Sequence, residues 1–342
     1  MRAAILKQFN TPLVIEEVPD PLPEPGWVLV RVRACGLCGT DLKIASGVLP
    51  FVHTPLIPGH EIAGEISKVG KGVTNVAPGD RVAVYNYITC GQCSACLQGW
   101  DALCSNLAGF VGFTVNGGFA ELVKVPANNV FLIPNQISFE EAAILSDAVA
   151  TPYHALLKRA QAQAGQTVAI LGVGGLGLHA VQIAKVMGLR VLAVDVEQAH
   201  LELAAKLGAE VVINCAKQSL AEAIASETSG RGVDVVLEMS GNAQAATDGL
   251  SLLATRGKMI LIGYSPVHPL KVFAQAMVFK ELEIHACRAS TRQDLVEVIE
   301  WVSTGKIKPL IHGVMPLLEI NQAYEKIKSS QVIGRLVLQP VG

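Results

Sequence analysis

Charge is scarce in this sequence and nearly balanced. Lys and Arg number 27 against 29 Asp and Glu, so charged residues make up only 16% of the chain and the formal net charge is -2. Nothing in that balance favours a polyanion such as nucleic acid or an acidic bilayer surface, and a small-molecule partner fits better. Long unbroken apolar runs are missing as well. "MRAAILKQFN" stops at Lys7, too soon for a signal-peptide core, and the stretch from Val168 to Ala184 is interrupted by glycines, His179 and Gln182. A soluble, cytoplasmic protein is expected, with no membrane partner. Internal repeats and low-complexity segments are absent too. Cysteine is sparse outside one place: of eight in the chain, four fall between residues 90 and 104. In a reducing compartment such a cluster is more often metal-binding or catalytic than disulfide-bonded.

What is present divides the chain. At 342 residues it exceeds one ordinary core and predicts two domains. The first third is rich in short strands bounded by turns. "WVLVRVRAC" alternates Val28, Val30 and Val32 against Leu29, Arg31 and Arg33, after the proline-rich "PDPLPEPG". From about Thr151 the texture changes. Apolar runs of strand length start at 168, 191, 211, 234, 259 and 282, with helical patterns between them, which predicts a parallel, doubly wound α/β sheet. After about Ala286 the helical "QDLVEVIEWVSTG" and the strand-like "GRLVLQP" are expected to return to the first domain.

"VAILGVGGLGLHAVQIA" sets Gly172, Gly174 and Gly177 in G-x-G-x-x-G register between a predicted strand and a predicted helix, with Gly175 and Leu176 completing the turn. Such a turn lets pyrophosphate approach a helix N-terminus. Asp195, which closes the next strand, would accept hydrogen bonds from the adenosine ribose hydroxyls. An acid there repels a 2'-phosphate and no arginine follows it, so NAD is expected over NADP.

Cys90, Cys93, Cys96 and Cys104 are spaced to bring four thiolates onto one tetrahedral ion with no open position, a structural zinc site. An iron–sulfur centre or free thiols are the competing readings. A second set is more suited to chemistry. "CGLCGTD" and "PGHEIAGEISKVGKGV" supply Cys38, His60 and Glu61, a mixed ligand set that fits a zinc ion with one position open.

At these residues the sequence resembles the zinc-dependent medium-chain alcohol dehydrogenases. Gly59, His60, Glu61, Gly64, Gly70 and Val73, then "APGDRV", the four-thiol lobe and the nucleotide turn follow in that family's order. The resemblance implies a GroES-like catalytic domain over 1–150 and 287–342, with its zinc lobe at about 88–106, and a Rossmann NAD-binding domain over 151–286. It implies a hydride transfer between an alcohol and NAD, and two zinc ions per subunit, one catalytic and one structural. Many relatives place a cysteine as third catalytic ligand where this chain has Asp147, as some bacterial secondary-alcohol dehydrogenases do. By the same resemblance Glu61 is an intermittent ligand, Thr40 passes the alcohol proton toward a base, and Arg335 pairs with the cofactor pyrophosphate. Lys43 stands where several relatives have the histidine base, although lysine is ordinarily charged at neutral pH and a poor acceptor. Gly39 departs from relatives with a basic residue there, and Arg288 and Ala289 stand where some have aromatic side chains lining the pocket. The other histidines are expected at the surface or in packing, His154 excepted. A homodimer or homotetramer is expected. A zinc-free quinone or enoyl reductase, or a non-catalytic dinucleotide-binding protein of the same fold, is the alternative.

Overall fold

The computed structural model describes residues 1–340. The chain forms two compact units, one from Met1–Ala150 together with Ser290–Gly342, the other from Thr151–Ala289.

The first unit is built on a seven-stranded sheet. Along it run Ile311–Pro316, Arg335–Gln339, Trp27–Leu37, Glu61–Val69, Arg81–Val84 and Val130–Leu132, and Leu122–Pro126 also pairs with Trp27–Leu37. Val28, Val30 and Val32 point into the core, as their period of two requires, with Ile62, Ile66, Val82, Phe119 and Val123 packed among them. Leu29, expected on the opposite face, is buried too, at 2% exposure. The strand bearing it is paired with other strands and covered for most of its length, so only Arg31 of the first seven residues is exposed. Register decides what the sheet presents: Gly36 lies opposite Glu61, and Leu37 opposite Leu336, next to Arg335. A side chain at 36 would put its Cβ 2.0 Å from Glu61 Oε2, so the glycine leaves the space into which that carboxylate folds.

The second unit is a six-stranded sheet in which every neighbouring pair is parallel. Its order is Val211–Asn214, Arg190–Asp195, Thr167–Leu171, Val233–Glu238, Leu253–Leu261 and Glu283–Ala286. All six apolar runs became strands, because parallel strands covered on both faces read as continuous hydrophobic stretches. Leu253–Leu261 starts earlier than expected, since its first half includes the polar Thr255–Lys258. Thr167–Leu171 has its sequence successor on one side and the fourth strand on the other, so the order reverses there. In doubly wound sheets ligands bind at that reversal. The glycine turn follows this strand and opens the helix Gly177–Val186.

Candidate active site and metal centres

Cys38 is the N-cap of the helix Gly39–Ser46. Its thiol accepts from the Thr40 N–H at 3.5 Å, and its own N–H donates to Asp41 Oδ2 at 2.9 Å, a reciprocal cap that fixes the sulfur at the start of the helix. Glu61 opens the strand Glu61–Val69, His60 immediately precedes it, and Asp147 terminates the short turn of helix Ile144–Ser146. The four side chains offer ligand atoms that all lie within 4.8 Å of one another. Cys38 Sγ is 3.5 Å from Asp147 Oδ2, and His60 Nε2 is 3.8 Å from the same oxygen. Tetrahedral zinc bonded at ordinary lengths to sulfur, nitrogen and oxygen separates such atoms by about 3.3–3.6 Å, so the set is sized for that ion.

Burial and charge support the same fit. Arg335 meets Glu61 Oε1, but Oε2 is buried with no hydrogen-bond partner, which leaves one oxygen of the carboxyl open to a further cation. Burial pushes the Glu61 carboxyl up to about 8, with the Arg335 charge opposing and the Asp147 charge assisting. Burial would likewise raise Asp147, but the His60 hydrogen bond and the charges of His60 and Arg335 outweigh it and hold it well below the usual carboxylate range. The Asp147 side chain is 17% exposed, against 3% for His60 and 0% for Glu61, so the cluster opens on the Asp147 side. Behind His60, Nδ1 faces the fully buried Asp41 Oδ1 at 3.4 Å, without hydrogen-bond alignment. A carboxylate behind a ligating imidazole orients the ring and raises its basicity. Asp41 was missed by sequence reasoning; its only signal is its place in the "CGLCGTD" cap.

The resemblance assigned the Arg335 guanidinium to a cofactor pyrophosphate. In the structure it is buried in the ligand cluster, with Nε 3.0 Å from Glu61 Oε1 and Nη2 3.3 Å from Asp147 Oδ2 and 3.4 Å from Cys38 Sγ. The Cys38, Glu61 and Asp147 side chains surround it, and sequence alone gives no direction for a side chain on this strand. Thr40 Oγ1 lies 3.6 Å from Cys38 Sγ. Lys43 is in the last turn of the same helix, one turn along from Thr40. Gly39 has open space where a Cβ would be, and Arg288 is exposed.

In the thiol lobe the sulfur–sulfur distances are 3.5 Å for Cys93–Cys96 and Cys90–Cys104, 3.9 Å for Cys93–Cys104 and 4.0 Å for Cys90–Cys96. A disulfide needs about 2.05 Å, whereas zinc–sulfur bonds of about 2.3 Å give tetrahedral edges of about 3.8 Å. The lobe fits the ion. Backbone N–H groups of Cys96 and Ser105 hold the Cys93 thiol down at about 5, while burial and the neighbouring sulfurs push Cys96 up to about 12.

The nucleotide turn shows which of its glycines serve packing. A Cβ at Gly177 would fall 2.1 Å from the Gly172 carbonyl oxygen, and Gly172 has a left-handed φ of 89°. At Gly174 a Cβ meets nothing within 4 Å. That glycine leaves room for something outside the fold, as Gly175 and Leu176 beside it are only partly covered. Asp195 is held by the Val173, Val196 and Glu197 N–H groups at 2.8, 2.8 and 3.0 Å. Burial alone would raise its pKa, but His200 and these backbone donors bring it below the usual range. His200 and His179, expected at the surface or in packing, do more than pack. His200 Nδ1 is 3.4 Å from Asp195 Oδ2, and the fully buried His179 has Nδ1 2.7 Å from the Gly175 carbonyl of the turn.

A parallel sheet with a glycine turn at its reversal point, and a second unit holding one closed and one open cation site, together define a metal-dependent nucleotide-linked dehydrogenase. Residues 24–135 match the alcohol dehydrogenase GroES-like domain, and residues 175–304 the zinc-binding dehydrogenase domain. An alcohol dehydrogenase of Geobacillus stearothermophilus is 40% identical over 99% of both chains. An acryloyl-coenzyme A reductase of Metallosphaera sedula is 31% identical over 99% of both. The crystal structure of an alcohol dehydrogenase from Aeropyrum pernix superposes with a TM-score of 0.94 at 35% identity, covering 99% of this chain and 100% of that one. The chain belongs to the zinc-dependent medium-chain alcohol dehydrogenase family.

Proposed function

We propose that this protein is an NAD-dependent zinc alcohol dehydrogenase that oxidises a secondary, cyclic or primary alcohol, or a polyol, to a ketone or aldehyde. The observation that carries the reading is the convergence of Cys38, His60, Glu61 and Asp147, with one side of the cluster open. Cys38, His60 and Asp147 hold the catalytic zinc, and Cys90, Cys93, Cys96 and Cys104 the structural one. When bound, the catalytic zinc lowers the pKa of an oxygen beside it, and NAD accepts hydride. Cys38 and Asp147 together balance two positive charges, which leaves a site that attracts an oxyanion without trapping it. Asp41 keeps the His60 ring in place, and Arg335 holds Glu61 back from the open side as a reserve ligand. The Thr40 hydroxyl accepts the alcohol proton as it gives up its own, and that proton leaves to solvent, because a charged Lys43 has no lone pair to take it. Gly172, Gly174, Gly175, Leu176 and Gly177 bind the pyrophosphate through backbone N–H groups, and Asp195 binds the ribose hydroxyls and disfavours a 2'-phosphate.

The acryloyl-coenzyme A reductase among the relatives keeps a reductase reading in view, but a four-membered open ligand cluster has no use in hydride addition to an alkene that needs no Lewis acid. A cytoplasmic homo-oligomer is further proposed. It is supported by the lack, among the described residues, of any helix long and apolar enough to cross a membrane, and by the exposed Val267, Phe273, Val278 and Phe279. NADH appearance across alcohols, polyols and hydroxyacyl thioesters, with zinc measured on the same preparation, tests the function. Two zinc ions per chain with no NADH from any alcohol overturns it.

A further inference from the structure

The thiol lobe is tied to the Asp147 turn by a chain of buried and partly buried polar contacts centred on one residue. Arg292 opens the helix Arg292–Ser303. Its backbone N–H donates to Asp101 Oδ2 at 3.0 Å and its Nε lies 3.6 Å from Asp101 Oδ1. Asp101 sits inside the lobe between Cys96 and Cys104 and is 8% exposed. Arg292 Nη2 donates to Thr89 Oγ1, next to Cys90, and to Asn129 Oδ1, both at 3.2 Å. Asn129, fully buried, donates in turn to the carbonyls of Tyr85 and Tyr87 at 2.7 and 2.8 Å, on the segment that leads into the lobe. The guanidinium also stands 5.4 Å from the centre of the Tyr85 ring.

From there the contacts run toward the other cluster. The Tyr85 hydroxyl donates to the Ser290 carbonyl at 2.8 Å, and Ser290 Oγ donates to the Ser146 carbonyl at 3.4 Å. Ser146 precedes Asp147. Tyr85 and Ser290 are 0% and 1% exposed, so water does not replace these bonds when one is lost.

We infer that Arg292 is a positioning residue that couples the seating of the thiol lobe to the placement of the Asp147 carboxylate. The inference rests on the reading that Asp147 holds a metal. A planar fork that meets a carboxylate, a hydroxyl and an amide at once has one low-energy orientation, and lysine cannot reproduce it. Displacement of Asp101 or Thr89 therefore moves Arg292, and with it the Tyr85–Ser290–Ser146 path. The last step is the longest hydrogen bond of the path, so the effect on the metal site is graded and does not abolish binding.

The test compares the full-length parent with Arg292→Ala, Arg292→Lys, Asp101→Asn and Tyr85→Phe. The readouts are the rate at which a chelator removes the second zinc and the visible spectrum after cobalt is exchanged into that site alone. All four variants are expected to lose the second zinc about tenfold faster and to shift the cobalt bands, with two metals bound at the outset. Arg292→Lys does not rescue. Asp101→Asn combined with Arg292→Ala is no worse than Arg292→Ala, because both act through one path. Should Arg292→Ala fail to fold, Tyr85→Phe, which keeps the ring, decides alone. Variants that melt lower but keep the parent's chelation rate and cobalt spectrum overturn the coupling and leave the function intact. A parent that binds only one metal overturns both.

Discussion

Aspartate at position 147 offers the open cluster an oxygen as ligand atom in the proposed zinc site. Asp147→Ala removes the one ligand on the exposed side, so metal analysis is expected to show the second zinc lost and the first retained. Several kcal/mol of transition-state stabilisation go with it, about a thousandfold in kcat/KM. Asp195 makes a separate prediction. Asp195→Ala deletes charge-assisted hydrogen bonds of about 1.5–3 kcal/mol, about 10–150-fold in kcat/KM for NAD, and narrows the preference over NADP. An Asp195→Ala enzyme with an unaltered NAD to NADP ratio counts against its contact with the ribose. Residue types that bind metal announced themselves in the sequence: Cys38, His60 and the four thiols are rare side chains at restrictive spacings. Asp41 did not, because an aspartate three residues into a helix is an ordinary capping residue until the imidazole 19 positions later is seen against it. Arg335 was legible as a site residue, whereas its contacts with Glu61, Asp147 and Cys38 were not.

The strand-turn-helix over Thr167–Val186 separates the two duties of its glycines, and mutation can separate them as well. Gly177→Ala forces a Cβ onto the Gly172 carbonyl oxygen and is expected to cost about 1–3 kcal/mol in urea unfolding. Gly174→Ala meets nothing in the fold, so its stability is expected to stay within about 0.5 kcal/mol while the KM for NAD rises about tenfold or more. Equal stability losses in both variants count against a ligand over Gly174. At this scale the parallel strands were the most legible part of the chain, since each is a buried apolar run. The first unit was less so. Its short pieces, such as Tyr87–Ile88, owe their existence to a neighbour far along the chain, Gly109–Phe110, which no local pattern reveals.

For the molecule as a whole, acid stability follows from carboxyls held down in the nucleotide-binding unit. Arg231 hydrogen-bonds Asp234 and lowers its pKa against the effect of partial burial, and Asp195 is lowered by His200 and backbone donors despite burial. Both bind protons more readily once unfolded, where a carboxyl titrates near 4. Their stabilisation is therefore complete above about pH 5 and is lost as the pH falls through 4 toward the depressed folded values. Urea midpoints measured from pH 6 to pH 3 are expected to fall, and less steeply in Asp234→Asn. A change of texture near Thr151 and two short patterns after about Ala286 were the signals for two units, and the compact units meet at Ala150/Thr151 and Ala289/Ser290, with the helix Arg292–Ser303 and the strand Arg335–Gln339 in the first.

The two cation sites differ in how far apart their parts are synthesised. The lobe's four sulfurs leave the ribosome within fifteen residues of one another, so it can be metallated while the rest of the chain is still being made. Asp147 follows Cys38 by 109 residues and Arg335 follows it by 297, which at ordinary elongation rates is about 15–60 s for the latter. During that interval the nascent chain displays a thiol and an imidazole without their counter-charge, exposed to whichever soft metal the cell offers first.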